Sequence, residues 1–405
     1  MKNHKKIIPI LDQGMVSVLS LLSSFLVLNF SGMDEFSALQ FTAIFLFLGV
    51  SLTNSSVVAC EAKNTSLTGV GRSCGALLVI LIIVSFYSMA VFLLLPRFNI
   101  ISDIDGASSV MLAFFAFFYL LQDAMRRLLM VNDLEVVSLF SDFISYGGQV
   151  LFLAAVYWID FDVEFNDVVI CLCASSAFAC VPLILKIKFK SVNIEQQFCQ
   201  VWSESVVLSR TLTLSAVMKF FSNQSVFIYA GVLLPSEVFG SVKATQLLYK
   251  PFNLFLVAYE SYLPKIFFLK ANVTECLSLA KKLGFAIGGL LVLYVFILNF
   301  MFDLFPGVLP IGDGVMFSQS ILWAFFYYLM SVSLLQRTCL RVLGSESGVL
   351  MSSFISLLVA LIVWLLSEEL VADGNDVIVF SICVCLSGVI PGFYFIGNAR
   401  GKKYV

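Results

Sequence analysis

Four cationic side chains occur in parts of the sequence that are otherwise strongly apolar. Lys219 and Lys250 lie well inside two consecutive apolar runs, and Arg210 and Lys243 lie nearer the ends of these runs. An ionisable group near the middle of a bilayer costs at least about 2.5–3.5 kcal/mol, so such lysines are expected to face a water-filled cavity. Ammonium groups in a cavity can compensate the charge of an anion. Two alternatives remain open, because Lys243 could reach the membrane surface and Lys250 could pair with a buried carboxylate.

Polar side chains accompany these cations at helical spacing. Asn223 follows Lys219 by one turn, and a polar stripe runs along the next apolar segment, formed by Lys243, Gln246, Lys250 and Asn253. Pro251 follows Lys250 directly, and a proline inside a helix removes a hydrogen bond and bends the helix. The sequence therefore predicts a polar cavity wall with a hinge at Pro251.

Carboxylates are spread over the first half of the chain. Their positions suit the binding of H⁺ or Na⁺ as a coupling ion, and the candidates are Asp12, Glu61, Asp123 and Asp142. Asp142 is the strongest of them, because helix rise places it about 10 Å past Glu135 and inside an apolar run. The others lie nearer the ends of their runs, where solvation or pairing with Arg126 and Arg127 remains an alternative.

The composition excludes an ordinary soluble domain. Hydrophobic residues make up 60 % of the chain and charged residues 12 %, with a mean hydropathy of +0.99; soluble domains have roughly 45–50 % and about 25 %. The only histidine is His4, so a zinc site or a histidine-dependent catalytic triad is not expected. The cysteines lie mostly inside apolar runs, where a thiol packs as a small hydrophobe. No metal, no organic cofactor and no nucleic-acid partner is expected.

Twelve apolar runs are long enough to cross a bilayer about 30 Å thick. They lie near 10–30, 36–60, 74–95, 107–125, 134–158, 166–187, 209–234, 237–263, 282–304, 315–340, 346–366 and 374–397. Lys and Arg occupy the N-terminal tail and alternate loops, whereas the other loops hold mainly Asp and Glu. The positive-inside rule then predicts that both termini are cytoplasmic.

The chain divides near its middle at a polar stretch. This predicts an N-terminal six-helix lobe at 1–190, a cytoplasmic connecting segment at 191–208 and a C-terminal six-helix lobe at 209–405. The lobes resemble each other weakly, since an aromatic span ends in arginine in both ("AFFAFFYLL", "WAFFYYLM"). Parallel repeats of this kind are typical of transporters whose halves rock about a central site.

Short stretches at the entries to the second helix of each lobe, "EFSALQF" and "EVFGSVK", together with the twelve spans, resemble the MOP exporter superfamily. Within it, the chain is most similar to polysaccharide repeat-unit flippases of the Wzx (O-antigen flippase) type. The resemblance implies an all-α integral membrane fold, MATE-like, with twelve transmembrane helices in two lobes around a central cavity. It also implies alternating access in a bacterial cytoplasmic membrane.

The implied substrate is an oligosaccharide unit on undecaprenyl pyrophosphate, flipped for surface polysaccharide assembly, with membrane lipids and the polysaccharide polymerase as further partners. Lys219 and Lys250 would hold the pyrophosphate, and Lys243 and Arg210 would mark the path. A cation-coupled multidrug or metabolite exporter of the same superfamily remains an alternative. A membrane glycosyltransferase or polymerase is a second alternative, but the short loops lack the sizeable catalytic segment that such enzymes use, so no enzymatic activity is expected.

Overall fold

Helices account for the described part of this chain. In this computed structural model, the described residues are 4–58, 61, 73–95, 106–132, 134–159, 164–186, 194–208, 210–252, 273–304, 313–342, 346–370 and 373–399. They form fourteen α-helices and contain no β-strand. The helices are α1 His4–Phe30, α2 Met33–Thr53, α3 Ser73–Leu94, α4 Gly106–Val131, α5 Glu135–Asp142, α6 Gly148–Ile159, α7 Phe165–Lys186, α8 Ile194–Leu208, α9 Arg210–Leu233, α10 Ser236–Leu248, α11 Val273–Leu304, α12 Asp313–Val342, α13 Glu346–Leu370 and α14 Gly374–Ala399.

Nine helical segments within these residues are long and apolar enough to cross a membrane. A helix satisfies its backbone hydrogen bonds internally, which is what hydrocarbon surroundings demand. The predicted all-α integral-membrane architecture is therefore confirmed. The first of the three other predicted spans overlaps α1, whose apolar part is Gly14–Phe30. The second coincides with α9, and α10 covers the first half of the third, which continues beyond the described residues. The count of twelve spans and the lobe boundaries stay predictions.

The described chain forms two compact units, Met1–Val217 and Met218–Val405. In the first unit, α4 packs against α3 and α7, and α8 packs against α3. The core between them includes Ile80, Leu120, Leu128 and Leu183. Gly75 allows α3 to approach α8 closely, because a Cβ added there would lie 2.6 Å from the backbone carbon of Gln197. Helix α8, which lies in the predicted connecting segment, is thus part of the packing of the first unit.

The first unit contains two π-helical turns. One covers Asn54–Val58 at the end of α2, and the other covers Phe143–Gly147 between α5 and α6. A π turn holds one residue more than the α turn it replaces, and such turns occur frequently at functional sites. The second one begins directly after Asp142, which is fully buried.

The second unit is organised around α14. This helix packs against α12 and α13, while α11 packs against α12. Gly392 permits the close approach of α12, because a Cβ there would lie 2.6 Å from the side-chain oxygen of Gln336. That Gln336 side chain donates a hydrogen bond of 3.0 Å to the carbonyl of Val389. The packing holds α10 against α12 and α14, and thereby positions the charged residue Lys243.

The outer surfaces of both units carry large apolar side chains. Trp158 in the first unit is 87 % exposed, and Phe285 in the second unit is 80 % exposed. A water-soluble protein rarely presents such contiguous apolar surface. In a membrane-spanning chain these side chains contact lipid.

Candidate functional site

Arg126, near the C-terminal end of α4, is the centre of a buried ionic cluster in the first unit. The local sequence is "QDAMRR", in which Asp123, Arg126 and Arg127 are three and four residues apart and therefore neighbours on the helix surface. The Arg126 side chain is 6 % exposed. A guanidinium group with so little access to water requires partners that replace its hydration.

Three carboxylates supply those partners, and they come from three helices. Arg126 Nη1 lies 2.7 Å from Asp142 Oδ2 and 3.4 Å from Asp12 Oδ2, and Nη2 lies 2.9 Å from Asp123 Oδ1. Asp12 belongs to α1 and Asp142 is the last residue of α5. Both are fully buried, so one arginine ties α1, α4 and α5 together. We call these residues, with Arg127 and Gln122, the Arg126 cluster.

The remaining members complete the hydrogen bonding of two aspartates. Gln122 Nε2 donates a 2.7 Å hydrogen bond to Asp142 Oδ1, so both oxygens of Asp142 accept. Arg127 Nε donates a 2.8 Å bond to Asp123 Oδ2. The Arg127 side chain is 32 % exposed, so the cluster reaches the protein surface on this side.

Two members are incompletely satisfied, since Arg126 Nε and Asp12 Oδ1 are buried and have no hydrogen-bond partner. The other oxygen of Asp12, Oδ2, shares the Nη1 group of Arg126 with Oδ2 of Asp142. Two carboxyl groups this close together can form a hydrogen bond with each other only when one of them carries a proton. Three carboxyl groups face two guanidinium groups in this cluster. When all three are ionised, the cluster carries one negative charge in excess, which is the charge that a single proton or sodium ion would neutralise.

The cluster contains three of the four predicted ion-coupling residues. Asp12, Asp123 and Asp142 meet at Arg126, an arrangement that includes the predicted alternative of pairing with both arginines. Glu61 is also fully buried, after the π-helical turn Asn54–Val58, but it is not part of the ion pairs just described. The sequence predicts Arg126 only as a pairing partner of nearby carboxylates, not as the centre of a cluster. Its position three residues after Asp123 is the one local indication that it forms an ion pair.

Lys243 is the most deeply buried cation described in the second unit. It lies on α10 and is 6 % exposed. Its Nζ atom donates a 3.0 Å hydrogen bond to Gln246 Oε1 and lies 3.9 Å from the centroid of the Phe227 ring. The face of an aromatic ring attracts a cation electrostatically. A ring and an amide thus replace the water around this ammonium group.

An aromatic cluster holds Phe227 in place. Trp323 stacks on Phe227 with ring centroids 5.7 Å apart, and Trp323 Nε1 donates a 3.1 Å hydrogen bond to Thr245 on α10. Tyr249 stacks on Tyr327 at 5.5 Å. Phe326 packs edge-on against Trp323. Because the rings pack on one another and Trp323 is hydrogen-bonded, the ring of Phe227 next to Lys243 has a fixed position. We call Phe227, Tyr249, Trp323, Phe326 and Tyr327 the aromatic cluster.

The other predicted substrate-binding residues are distributed as follows. Lys219, Asn223 and Lys250 are partly buried, and both lysines interact with neighbouring groups. Gln246 binds Lys243, its neighbour one turn earlier. Arg210 begins α9, but its side chain lies outside the described residues, as does the whole of Asn253.

The chain leaves helical geometry just before Lys250. Helix α10 ends at Leu248, and Tyr249 has φ −87° and ψ 1°. The freed carbonyl of Leu248 accepts a hydrogen bond from the Tyr294 hydroxyl. Pro251 follows two residues later and is exposed. Helix α10 therefore ends between Lys243 and Lys250, and Asn253, the last residue of the predicted stripe, lies outside the described residues.

Comparisons with known proteins identify the architecture. No family model and no curated protein matches the sequence. Among solved structures, the outward-facing conformation of a multidrug resistance MATE family transporter of the MOP superfamily matches 98 % of this chain and 97 % of its own, with a TM-score of 0.60 and 15 % identity. The crystal structure of MATE in the straight conformation matches 98 % and 97 % of the two chains, with a TM-score of 0.64 and 12 % identity.

A eukaryotic MATE transporter matches 98 % of this chain and 94 % of its own, with a TM-score of 0.62 and 13 % identity. The chain has the MATE fold. The predicted MATE-like fold class is thereby confirmed over nearly the whole length. The sequence identities are too low to carry substrate or coupling ion from these transporters to this protein.

Proposed function

We propose that the protein is a secondary exporter that works by alternating access and is coupled to H⁺ or Na⁺ through the Arg126 cluster. The MATE fold supports transport as the general activity. The single observation that carries the coupling assignment is the excess of one carboxyl group over the two arginines. Binding of one monovalent cation would neutralise a site from which water is largely excluded.

Asp12 and Asp142 are the residues at which this cation would bind. Asp12 keeps one acceptor oxygen without a partner, and its other oxygen shares Nη1 of Arg126 with Asp142. A proton would be shared between the two carboxyl groups, whereas a sodium ion would be held by their oxygens. Either event changes the attraction of both carboxylates to Arg126, and so changes the forces that hold α1, α4 and α5 together.

Compounds of the multidrug type are the substrate class of this proposal, because one structural neighbour is described as a multidrug resistance transporter. Organic cations are one class of such compounds. Ethidium is a suitable probe of this class. Cells that produce the protein should remove ethidium faster than cells that lack it, and an imposed proton or sodium gradient should drive that removal.

Replacement of Asp142 by Asn tests the coupling assignment. Asp142→Asn keeps the size of the side chain and removes the excess negative charge, so gradient-driven ethidium efflux should fall close to the level of cells without the protein. The matched control is Asp34→Asn, which changes an exposed carboxylate of α2 and should leave efflux unchanged. Full response of the Asp142→Asn variant to the gradient, at normal protein level, would refute the assignment.

The lysines of the second unit favour a second candidate function. Lys219, Lys243 and Lys250 are at least partly buried, and ammonium groups suit an anionic substrate better than an organic cation. The candidate is a flippase that carries undecaprenyl-pyrophosphate-linked oligosaccharides across a bacterial cytoplasmic membrane, with both termini cytoplasmic. In this proposal the ammonium groups compensate the pyrophosphate while the lipid chain stays in the bilayer.

Lysine substitutions distinguish the two substrate classes. In cells that depend on this protein for surface glycan, Lys219→Ala and Lys250→Ala should lower the amount of surface polymer, whereas Lys282→Ala, a change of an exposed lysine, should not. Ethidium efflux measured in the same cells provides the comparison. Normal polymer in both lysine variants, together with ethidium efflux by the unaltered protein, would leave the multidrug-type exporter as the function.

A further inference from the structure

The second unit contains an apolar groove between α11 and α12. Its volume is about 510 Å³. The candidate span on α11, Ser278–Phe300, has the smallest buried share of the nine that the described residues contain. This side of the protein is therefore the least covered by the chain itself. The residues that shape the groove are Gly284, Gly288, Gly289, Phe285, Phe296 and Tyr328.

The groove forms because three of its lining residues are glycines, which have no side chain. A Cβ added at Gly284 or Gly289 would meet nothing within 4 Å, so both positions open onto free space. At Gly288 an added Cβ would lie 3.2 Å from the ring of Tyr328, so this glycine lets α12 form the floor. Phe285 and Phe296, which are 80 % and 70 % exposed, form part of the lining. A hydrocarbon chain fits the chemistry of this lining, because water would find almost no hydrogen-bond partners in it.

A cation lies at one end of the same helix face. Lys281 precedes Gly284 by three residues and Gly288 by seven, so it shares their side of α11. Lys281 is exposed. Its long side chain can extend to the membrane surface while the aliphatic part follows the groove. Lys282 is also exposed, but one residue further on it points about 100° away, toward the margin of this face.

We propose that the groove binds a phospholipid of net negative charge, with the phosphate at Lys281 and one hydrocarbon chain against Gly284, Gly288 and Gly289. Charge complementarity selects this occupant over a zwitterionic or uncharged lipid, because the apolar groove ends at a lysine. Stable membrane-surface association generally combines an apolar and an ionic contribution, and this site offers both on one helix face. The assignment does not depend on the proposed coupling ion or on the transported substrate.

Lipid retention by the purified full-length protein tests the assignment. The protein is extracted in detergent, supplied with equal amounts of phosphatidylglycerol and phosphatidylcholine of identical chains, and analysed by native mass spectrometry. The unaltered protein should retain phosphatidylglycerol preferentially. Lys281→Gln should reduce that preference about fivefold, the effect expected for one lysine near an anionic headgroup. The matched control Lys282→Gln should change it much less.

A second variant separates the chain from the headgroup. Gly284→Leu combined with Gly289→Leu fills the groove and should abolish retention of both lipids at this site. Gly397→Leu is the matched control, because Gly397 on α14 is likewise exposed and an added Cβ there meets nothing within 4 Å. Lys281→Gln changes an exposed side chain and should leave the fold intact. This variant therefore tests the lipid assignment even if the leucine variant fails to fold.

Three results would overturn the assignment. One is equal retention of the two lipids by the unaltered protein. Another is undiminished preference for phosphatidylglycerol in Lys281→Gln. The third is a protein that is dimeric when unaltered and monomeric after groove filling, which would make a second copy of the chain the occupant.

Discussion

The two units stabilise buried charge in different ways. In the first unit, Arg126 is surrounded by three carboxylates, with ion-pair distances between 2.7 and 3.4 Å. In the second unit, the contacts of Lys243 are a ring face and an amide oxygen. In the first unit, the net charge of the site depends on how many carboxylates and how many guanidinium groups it contains. A ring face and an amide oxygen add no charge of their own to the site.

This difference suits two separate tasks. The Arg126 cluster has one carboxyl group more than it has guanidinium groups, so one bound monovalent cation would neutralise its excess negative charge. Lys243, when protonated, would offer a positive charge to an anionic substrate. The comparison predicts that removal of the buried cation destabilises the first unit much more than the second, and three substitutions test it.

Arg126→Met should produce the largest loss of stability. It leaves three buried carboxyl groups without their central cation, and loss of one partner from a buried ionic cluster costs about 3–5 kcal/mol. Chemical unfolding of the purified protein in detergent would measure the free energy of unfolding. Arg127→Met is the control, since this partly exposed arginine should contribute about 1 kcal/mol or less. Equal losses in the two variants would show that Arg126 is not the centre of the cluster.

Phe227→Leu should have an intermediate effect of about 2–3 kcal/mol, because it removes a buried ring and the cation–π contact with Lys243. The ionic part is isolated by making the same change in the Lys243→Met background. There the cost should be smaller by about 1–2 kcal/mol. An identical cost in both backgrounds would mean that Phe227 stabilises the core only by packing.

Lys243→Met should have the smallest effect on stability, within about 1 kcal/mol of the unaltered protein or slightly stabilising. Methionine has a similar shape, and replacing a buried charge by an apolar side chain removes a desolvation cost. Unfolding measurements alongside Arg126→Met provide the comparison. A loss of 3 kcal/mol or more, by the measure that applies to a broken ion pair, would indicate that a carboxylate partner holds Lys243.

The architecture was largely predictable from the sequence, whereas the partners within the sites were not. Long apolar runs predict membrane helices, because a helix satisfies all its backbone hydrogen bonds within the segment and hydrocarbon offers no other partners. The position of Asp142 inside such a run identified it as a candidate. Its contact with Arg126, however, spans sixteen residues and a change of helix, and Asp12 is 114 residues from the same arginine.

The environment of Lys243 illustrates the same limit. Its spacing to Gln246 predicts a contact on one helix face, which the hydrogen bond between them matches. The ring beneath its ammonium group belongs to Phe227 on the preceding helix, and Trp323 behind that ring lies 80 residues further along the chain than Lys243. Tertiary packing of α9, α10 and α12 decides this environment, and local periodicity contains no information on it.

The π-helical turn Phe143–Gly147 affects how its helix could change length. In a regular α-helix, deleting one residue rotates every later side chain by about 100° relative to the earlier ones. A helix that already holds a surplus residue can absorb such a deletion by returning to regular winding. At this turn, the helix after it can therefore rotate about its axis relative to the helix before it without loss of helical structure. The turn directly follows Asp142.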